Sequence, residues 1–213
     1  MPLKSYVLAL SILWTASSVF GQVNGPTQPE ATETYEPVPP RVTPGRDGAP
    51  PSDAIVLFNG KDFDQWISSA DSTKVKWHLN ADGSMTVKDK TGNIQTKQNF
   101  GSIQLHIEWK SPKEVQMSGQ NRGNSGVFLQ GLYEVQVLDN NGNDTYVNGQ
   151  VGSIYKQSVP LAMASVPSGE WNTYDIVYHV PKFSRGGNIV APATITVLHN
   201  GVLIQDHFEI EGP

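Results

Sequence analysis

The stretch GNSGVFLQGLYEVQVLDNNG, residues 123–142, contains two short runs that alternate apolar with polar residues and are separated by a single glycine. The runs cover residues 126–130 and 132–138, and this pattern predicts two paired β-strands. Because successive side chains point to opposite faces of a strand, the odd-numbered residues from 133 to 137 share one face and the even-numbered residues from 134 to 138 share the other.

A polar cluster is expected on the second of these faces. Glu134 and Gln136 lie side by side there, and Asp139 at the strand end can turn toward the same rim. Arg122 and Asn124 lead into the first strand, so they lie nearby if the strands pair. The spacing places an acid, an amide and a second acid within reach of one sugar-sized ligand. The alternative is that this face is only the solvent-facing side of a sandwich, since antiparallel sheets often alternate in this way.

The composition of the whole chain favours an all-β protein. The 213 residues include 20 glycines and 15 prolines, and short alternating runs recur at close spacing between turn signals, as in sandwiches and barrels. No cysteine occurs, so disulfides and thiolate metal sites are excluded. The net charge is −5 without a basic stripe, which argues against a nucleic-acid partner.

Three regions are expected along the chain. Residues 1–21 have a lysine, a short apolar run and small residues at the end, which is typical of a secretory signal peptide and too short for a stable membrane span. Residues 22–52 are a proline-rich lead-in, which is either a disordered spacer or an extended segment on the domain surface. Residues 53–213 form the folded domain. The sequence therefore predicts an exported protein.

A long irregular segment follows the central stretch. Residues 140–168 show little periodicity, and connections of this length are usually functional or disordered. Their glycine, tyrosine and glutamine content fits a loop that covers a site.

The chain from about residue 57 onward resembles the 3-keto-disaccharide hydrolase domain family. The resemblance rests on five ordered motifs, LFNGKD at 57–62, GNSGVFLQG at 123–131, YEVQVLD at 133–139, GEWNTYDI at 169–176 and VLHNGV at 197–202. It implies a concanavalin-like jelly roll of two antiparallel sheets and a hydrolase that acts on 3-keto-glycosides. Members usually continue beyond the Glu-Gly-Pro at 211–213, so the sandwich is expected to lack its last strands.

The implied chemistry assigns roles to the polar cluster. A ketone at carbon 3 acidifies the proton on carbon 2, so a carboxylate can remove it, the enolate can expel the group at carbon 1, and water then adds. Glu134 is the expected base, and Gln136 and Asn124 are expected to hold sugar hydroxyls. Arg122 would stabilise the enolate, and Asp139 would orient Arg122 or bind a hydroxyl.

Two further points stay open in the sequence. His199 precedes an Asn-Gly turn, where it either serves the turn or faces the site as a substrate-binding residue. A divalent metal held by a histidine and Glu134 is possible, although no spacing demands it. The rival function is a non-catalytic carbohydrate-binding or cell-surface module, which would present exposed aromatic residues on that face.

Overall fold

The computed structural model describes residues 28–212, and the chain divides into two compact units, Met1–Val56 and Leu57–Pro213. The described part of the first unit has one short 3-10 turn, Pro29–Thr32, and a closed loop in which the amide of Ser52 donates to the carbonyl of Thr43 at 3.0 Å. The predicted signal peptide lies outside the described residues. Between residues 28 and 212, no helix has the length and apolar character needed to cross a membrane.

The second unit is built from short antiparallel strands. They are β1 Trp66–Ser68, β2 His78–Leu79, β3 Met85–Thr86, β4 Ile94–Thr96, β5 Ile103–Lys110, β6 Ser125–Leu129, β7 Tyr133–Val137, β8 Trp171–His179, β9 Lys182–Phe183, β10 Ile189–Ala191, β11 Ala193–His199 and β12 Val202–Ile210. Two short 3-10 turns, Gly119–Asn121 and Val147–Gly149, lie between them.

The largest sheet has the order β12-β11-β8-β5. Strand β8 shows why it forms: Tyr174, Ile176 and Tyr178 alternate with more exposed residues and are at most 1% exposed. The hairpin between β11 and β12 closes at Asn200 and Gly201, which both have positive φ. This is the type I′ geometry that an Asn-Gly pair predicts.

The β6–β7 hairpin supplies the opposing layer. Its inward residues, including Leu129, Tyr133 and Val135, share one core with the buried residues of the large sheet. The hydroxyl of Tyr174 crosses this core and donates to the carbonyl of Gln136 at 2.7 Å. The predicted fold class, an all-β jelly-roll sandwich of antiparallel sheets, is confirmed.

Part of the irregular segment 140–168 lies along the second edge of β7. Ile154 forms a β-bridge with Val135, and the amide of Tyr155 donates to the carbonyl of Glu134 at 3.0 Å. Strand β7 is therefore held on both sides, by β6 and by residues 152–155. The remaining strands form three two-stranded sheets, β1–β4, β2–β3 and β9–β10.

Candidate active site

The Glu134 side chain lies across the surface of the β6–β7 hairpin. Its strand partner in β6 is Phe128, and its carboxyl group bends toward Gly126 on the same face. A Cβ atom at Gly126 would lie 2.8 Å from both Cγ and Cδ of Glu134, so any larger residue there would displace the side chain. The missing side chain at Gly126 thus creates the notch that the carboxyl group occupies.

The electrostatic environment of Glu134 suits a base. The side chain is half-buried, and this burial raises the pKa of its carboxyl group. The ion pairs within residues 28–212 do not include Glu134. A carboxylate that is partly desolvated and has no cationic partner takes up a proton closer to neutral pH, which is the property required of a general base.

Gln136 is the direct neighbour of Glu134 but is itself buried, with 1% exposure. In one orientation its amide nitrogen donates to Gln120 Oε1 at 3.1 Å. In the other orientation that nitrogen lies 3.0 Å from Glu134 Oε1 and 3.3 Å from the carbonyl of Ser125. Gln136 therefore contacts the carboxyl group of Glu134 and is buried, whereas the sequence predicted that it would face a sugar hydroxyl.

Gln120 joins the loops around the cluster. Its amide nitrogen donates to Thr145 Oγ1 and to the carbonyl of Gly149, both at 2.7 Å. Asn124, which is exposed, donates to the carbonyl of Gln120 at 2.7 Å. The structure thus brings Asn124, an exposed residue, to the Glu134 cluster through Gln120.

Aromatic side chains flank the carboxyl group. Phe128 and Tyr146 are 49% and 42% exposed, and the hydroxyls of Tyr146 and Tyr155 are hydrogen-bonded to each other. The sequence motifs did not indicate that Phe128, Tyr146 and Tyr155 belong to the site. Phe128 could have been found from its place opposite Glu134 in a paired hairpin, whereas the two tyrosines depend on the path of the 140–168 segment.

Arg122 and Asp139 form a separate pair. Arg122 Nε lies 3.1 Å from Asp139 Oδ2, and the Ser168 hydroxyl donates to the same oxygen at 2.7 Å. The two side chains are only 11% and 2% exposed. Burial alone would raise the pKa of Asp139, but hydrogen bonds from Ser168 and from the Asn141 backbone, together with the charge of Arg122, hold it below its usual value.

This pair lies at a different place from Glu134. It borders a cavity of about 520 Å³ lined by residues 112–117, and no hydrogen bond or ion pair within residues 28–212 joins Arg122 or Asp139 to the Glu134 carboxyl group. Asp139 is five positions after Glu134 in nearly extended chain, which corresponds to roughly 16 Å between their Cα atoms. The expected single cluster of acid, amide, acid and guanidinium is therefore two groups.

His199 lies in the core, 1% exposed, between Trp109 and Tyr174, whose ring centroids are 5.7 and 4.9 Å away. Its Nε2 is hydrogen-bonded to Asn172 Oδ1 at 2.9 Å, and burial lowers its pKa to about 4. The sequence predicted a substrate-binding position for His199, whereas β11 directs this side chain into the core.

Residues 28–212 contain no group of three or more histidine, aspartate and glutamate side chains that could hold a metal ion.

The solved structures that this chain resembles include two proteins of one bacterium, at different levels of sequence identity. A Parabacteroides distasonis ATCC 8503 protein, provisionally assigned as a glycosyl hydrolase and solved at 2.13 Å, is 53% identical, with a TM-score of 0.81 over 86% of this chain and 79% of that chain. A second protein of that organism with the same provisional assignment, solved at 1.70 Å, is 21% identical with a TM-score of 0.51 over 74% and 72% of the two chains, which supports the fold alone.

No protein of curated function matches the chain. The model of one family does match, over residues 53–213, which is most of the chain and includes every strand described above. The chain belongs to the family of 3-keto-alpha-glucoside-1,2-lyase-like domains.

Proposed function

We propose that this domain cleaves glycosides that carry a ketone at carbon 3, and that Glu134 begins the reaction by removing the proton on carbon 2. The observation that carries the proposal is the state of the Glu134 carboxyl group, which is half-buried, unpaired with any cation of the described chain and placed in the Gly126 notch. The description of the family supports a 3-keto-glycoside as substrate, and the provisional glycosyl-hydrolase assignment of the similar Parabacteroides protein supports glycosides in general.

The proposed reaction has two stages. Glu134 takes the carbon 2 proton, and the electrons of that C–H bond form an enolate with the carbon 3 carbonyl. The enolate then expels the oxygen substituent at carbon 1, which leaves with a proton returned from Glu134 or from water. Water adds across the resulting double bond between carbons 1 and 2, and the sum is hydrolysis.

The neighbours of Glu134 have distinct proposed roles. Gln136 can accept from the protonated carboxyl group in one amide orientation and donate to the carboxylate in the other, so it can follow the proton. Asn124 offers an exposed amide to a sugar hydroxyl. Phe128 offers an exposed ring face, and the apolar faces of sugars pack against such rings.

Arg122 and Asp139 support the site by holding the chain that precedes β6. Asp139 also accepts from the backbone of Asn141 at 3.2 Å, and its own amide donates to the carbonyl of Arg122 at 3.1 Å. These contacts fix the residues that precede β6 and thereby the position of Asn124.

The proposal extends to the location of the protein. Residues 1–21 have the pattern of a signal peptide and residues 22–52 that of a proline-rich lead-in, so we place the domain from residue 53 outside the cytoplasm, without a lasting membrane span. Mass spectrometry of the mature protein from the periplasm or medium would detect an N-terminus near residue 22, and a chain that retains Met1 would contradict export by this route.

The test of the reaction uses a 3-keto-glucoside and the parent glucoside in D₂O. The expected result is release of the aglycone from the keto compound alone, with deuterium incorporated at carbon 2 of the sugar. Release of a saturated keto sugar without deuterium at carbon 2, or equal release from the parent glucoside, would contradict proton abstraction at carbon 2.

A second candidate function is carbohydrate binding without cleavage. The observation that favours it is the exposure of Phe128 and Tyr146 beside Glu134, since exposed aromatic rings are typical of sugar-binding surfaces. The same experiment distinguishes the two functions. Saturable binding of the keto-glucoside with neither release nor deuterium exchange would establish a binding module.

A further inference from the structure

Tyr155 lies directly across from Glu134. The isolated bridge between Val135 and Ile154 and the hydrogen bond from the Tyr155 amide to the Glu134 carbonyl place Glu134 and Tyr155 opposite each other in antiparallel register, where the second segment begins to turn after Ile154. Val135 and Ile154 are buried in the core, so the neighbouring side chains of Glu134 and Tyr155 point to the other face. Opposite residues of this kind have Cβ atoms about 5 Å apart.

Tyr146 is held against Tyr155 by the short turn that follows it. The amide of Gly149 donates to the carbonyl of Tyr146 at 3.0 Å, and a Cβ atom at Gly149 would lie 2.6 Å from Cδ2 and Cζ of the Tyr146 ring. The ring centroids of Tyr146 and Tyr155 are 6.3 Å apart, and their hydroxyls are hydrogen-bonded. The glycine therefore allows the ring to lie flat on the turn with its hydroxyl directed at Tyr155.

The hydroxyls of Tyr146 and Tyr155 have one proton that is not used in the hydrogen bond between them. Two phenol groups carry two protons, and their mutual hydrogen bond uses one of them. Neither hydroxyl is hydrogen-bonded to any other residue in the part of the chain that the structure describes. The second proton is thus available to an acceptor on a ligand that lies over Glu134.

We propose that Tyr146 and Tyr155 form a paired hydrogen-bond donor to the carbonyl oxygen at carbon 3 of the substrate. This inference rests on the proposed function. As Glu134 takes the proton on carbon 2, negative charge develops on that oxygen, and a donor held in place before the reaction stabilises it. The hydroxyl proton stays on tyrosine throughout, so the enolate collapses by expelling the carbon 1 substituent.

The electrostatics of the pair agree with a donor that is not itself deprotonated. The hydrogen bond with Tyr155, followed by desolvation and the charges of Tyr155 and Glu134, raises the pKa of Tyr146 to about 12. The phenol therefore remains protonated in any neutral buffer.

The test compares Tyr146→Phe, Tyr155→Phe and the double variant with wild type on the 3-keto-glucoside. Each single variant keeps one donor hydroxyl, so kcat is expected to fall about tenfold, whereas the double variant loses the donor and should fall at least about 100-fold. KM should change little, because the charge on the oxygen develops only in the transition state. The matched control is Tyr178→Phe, which removes a hydroxyl bonded to Gln130 at 2.8 Å on the core side.

The outcomes separate the two proposals. Wild-type kcat in the double variant, with Glu134→Gln inactive, would overturn the tyrosine role and keep the proposed function. A wild-type enzyme that does not turn over the keto-glucoside would overturn both. An equal loss in Tyr178→Phe would show a general structural effect and also overturn the role. If the double variant does not fold, the single variants decide: wild-type kcat in both of them would also overturn the tyrosine role.

Discussion

Glu134 and Asp139 are two carboxyl groups of one motif with opposite environments. Burial without a charged partner raises the pKa of Glu134. Asp139 is more deeply buried, yet its pKa is lowered because Ser168, Asn141 and Arg122 stabilise the charged form. Burial therefore does not decide the role of an acid by itself. The hydrogen-bond donors and cations that contact the buried carboxyl group decide whether the acid exchanges protons or stays permanently charged.

The largest expected effect is that of Glu134→Gln. This variant keeps the size of the side chain and removes the base, so turnover of a 3-keto-glucoside should fall more than about 1,000-fold, since general-base catalysis contributes up to that order and more. Steady-state assays measure the loss, and the melting temperature should be unchanged because Glu134 forms no ion pair in residues 28–212. Turnover within tenfold of wild type would remove Glu134 as the base.

Asp139→Asn should damage stability and leave chemistry largely intact. It leaves the guanidinium of Arg122 buried without its counter-charge, and breaking such a pair costs about 3 kcal/mol of unfolding free energy. Urea unfolding measures this loss, with Ser168→Ala as a milder control of about 1 kcal/mol. A loss of kcat as large as that of Glu134→Gln, at unchanged stability, would return the Arg122–Asp139 pair to the catalytic site.

Gly126→Ala tests the notch. The new Cβ would collide with the flexible side chain of Glu134, so the carboxyl group moves while the hairpin stays folded. Misplacement on this scale can cost about 100-fold in kcat. Gly101→Ala is the matched control, because nothing lies within 4 Å of a Cβ at that position. Equal activity of the two variants would show that the position of the carboxyl group over Gly126 is unimportant.

The smallest effect is on the pH dependence. Glu134 acts as a base only when deprotonated, so kcat/KM should fall as pH decreases through a pKa above its ordinary 4.5. The folded pKa of Asp139 lies below its ordinary 3.8, so its contribution to stability is present above pH 3.8 and is lost only as pH falls through that lower value. A pH–rate profile with melting temperatures at each pH measures both. If kcat/KM falls only at the pH values where the protein also unfolds, the loss of activity does not report protonation of Glu134. That outcome would contradict the separate roles of Glu134 and Asp139.

The local pattern of the sequence was sufficient for the strands. Alternation over residues 132–138 predicted which side chains of β7 face the core, and Asn200-Gly201 predicted the type I′ hairpin, because both depend on neighbours in the chain. The same alternation also placed Glu134 and Gln136 on one face. It did not reveal that Gln136 would be covered, because the covering residues come from segments 16 or more positions away.

What the sequence determined by itself is the all-β class, the hairpins and the common face of Glu134 and Gln136, since a period of two and turn-forming residues act over a few positions. The tertiary structure alone decided that Asp139 and Arg122 pair beside Ser168 and apart from Glu134, that His199 enters the core, and that Tyr146 and Tyr155 meet. These outcomes depend on how the 140–168 segment and the sheets pack against each other. Spacing along the chain carries no information about contacts of that kind.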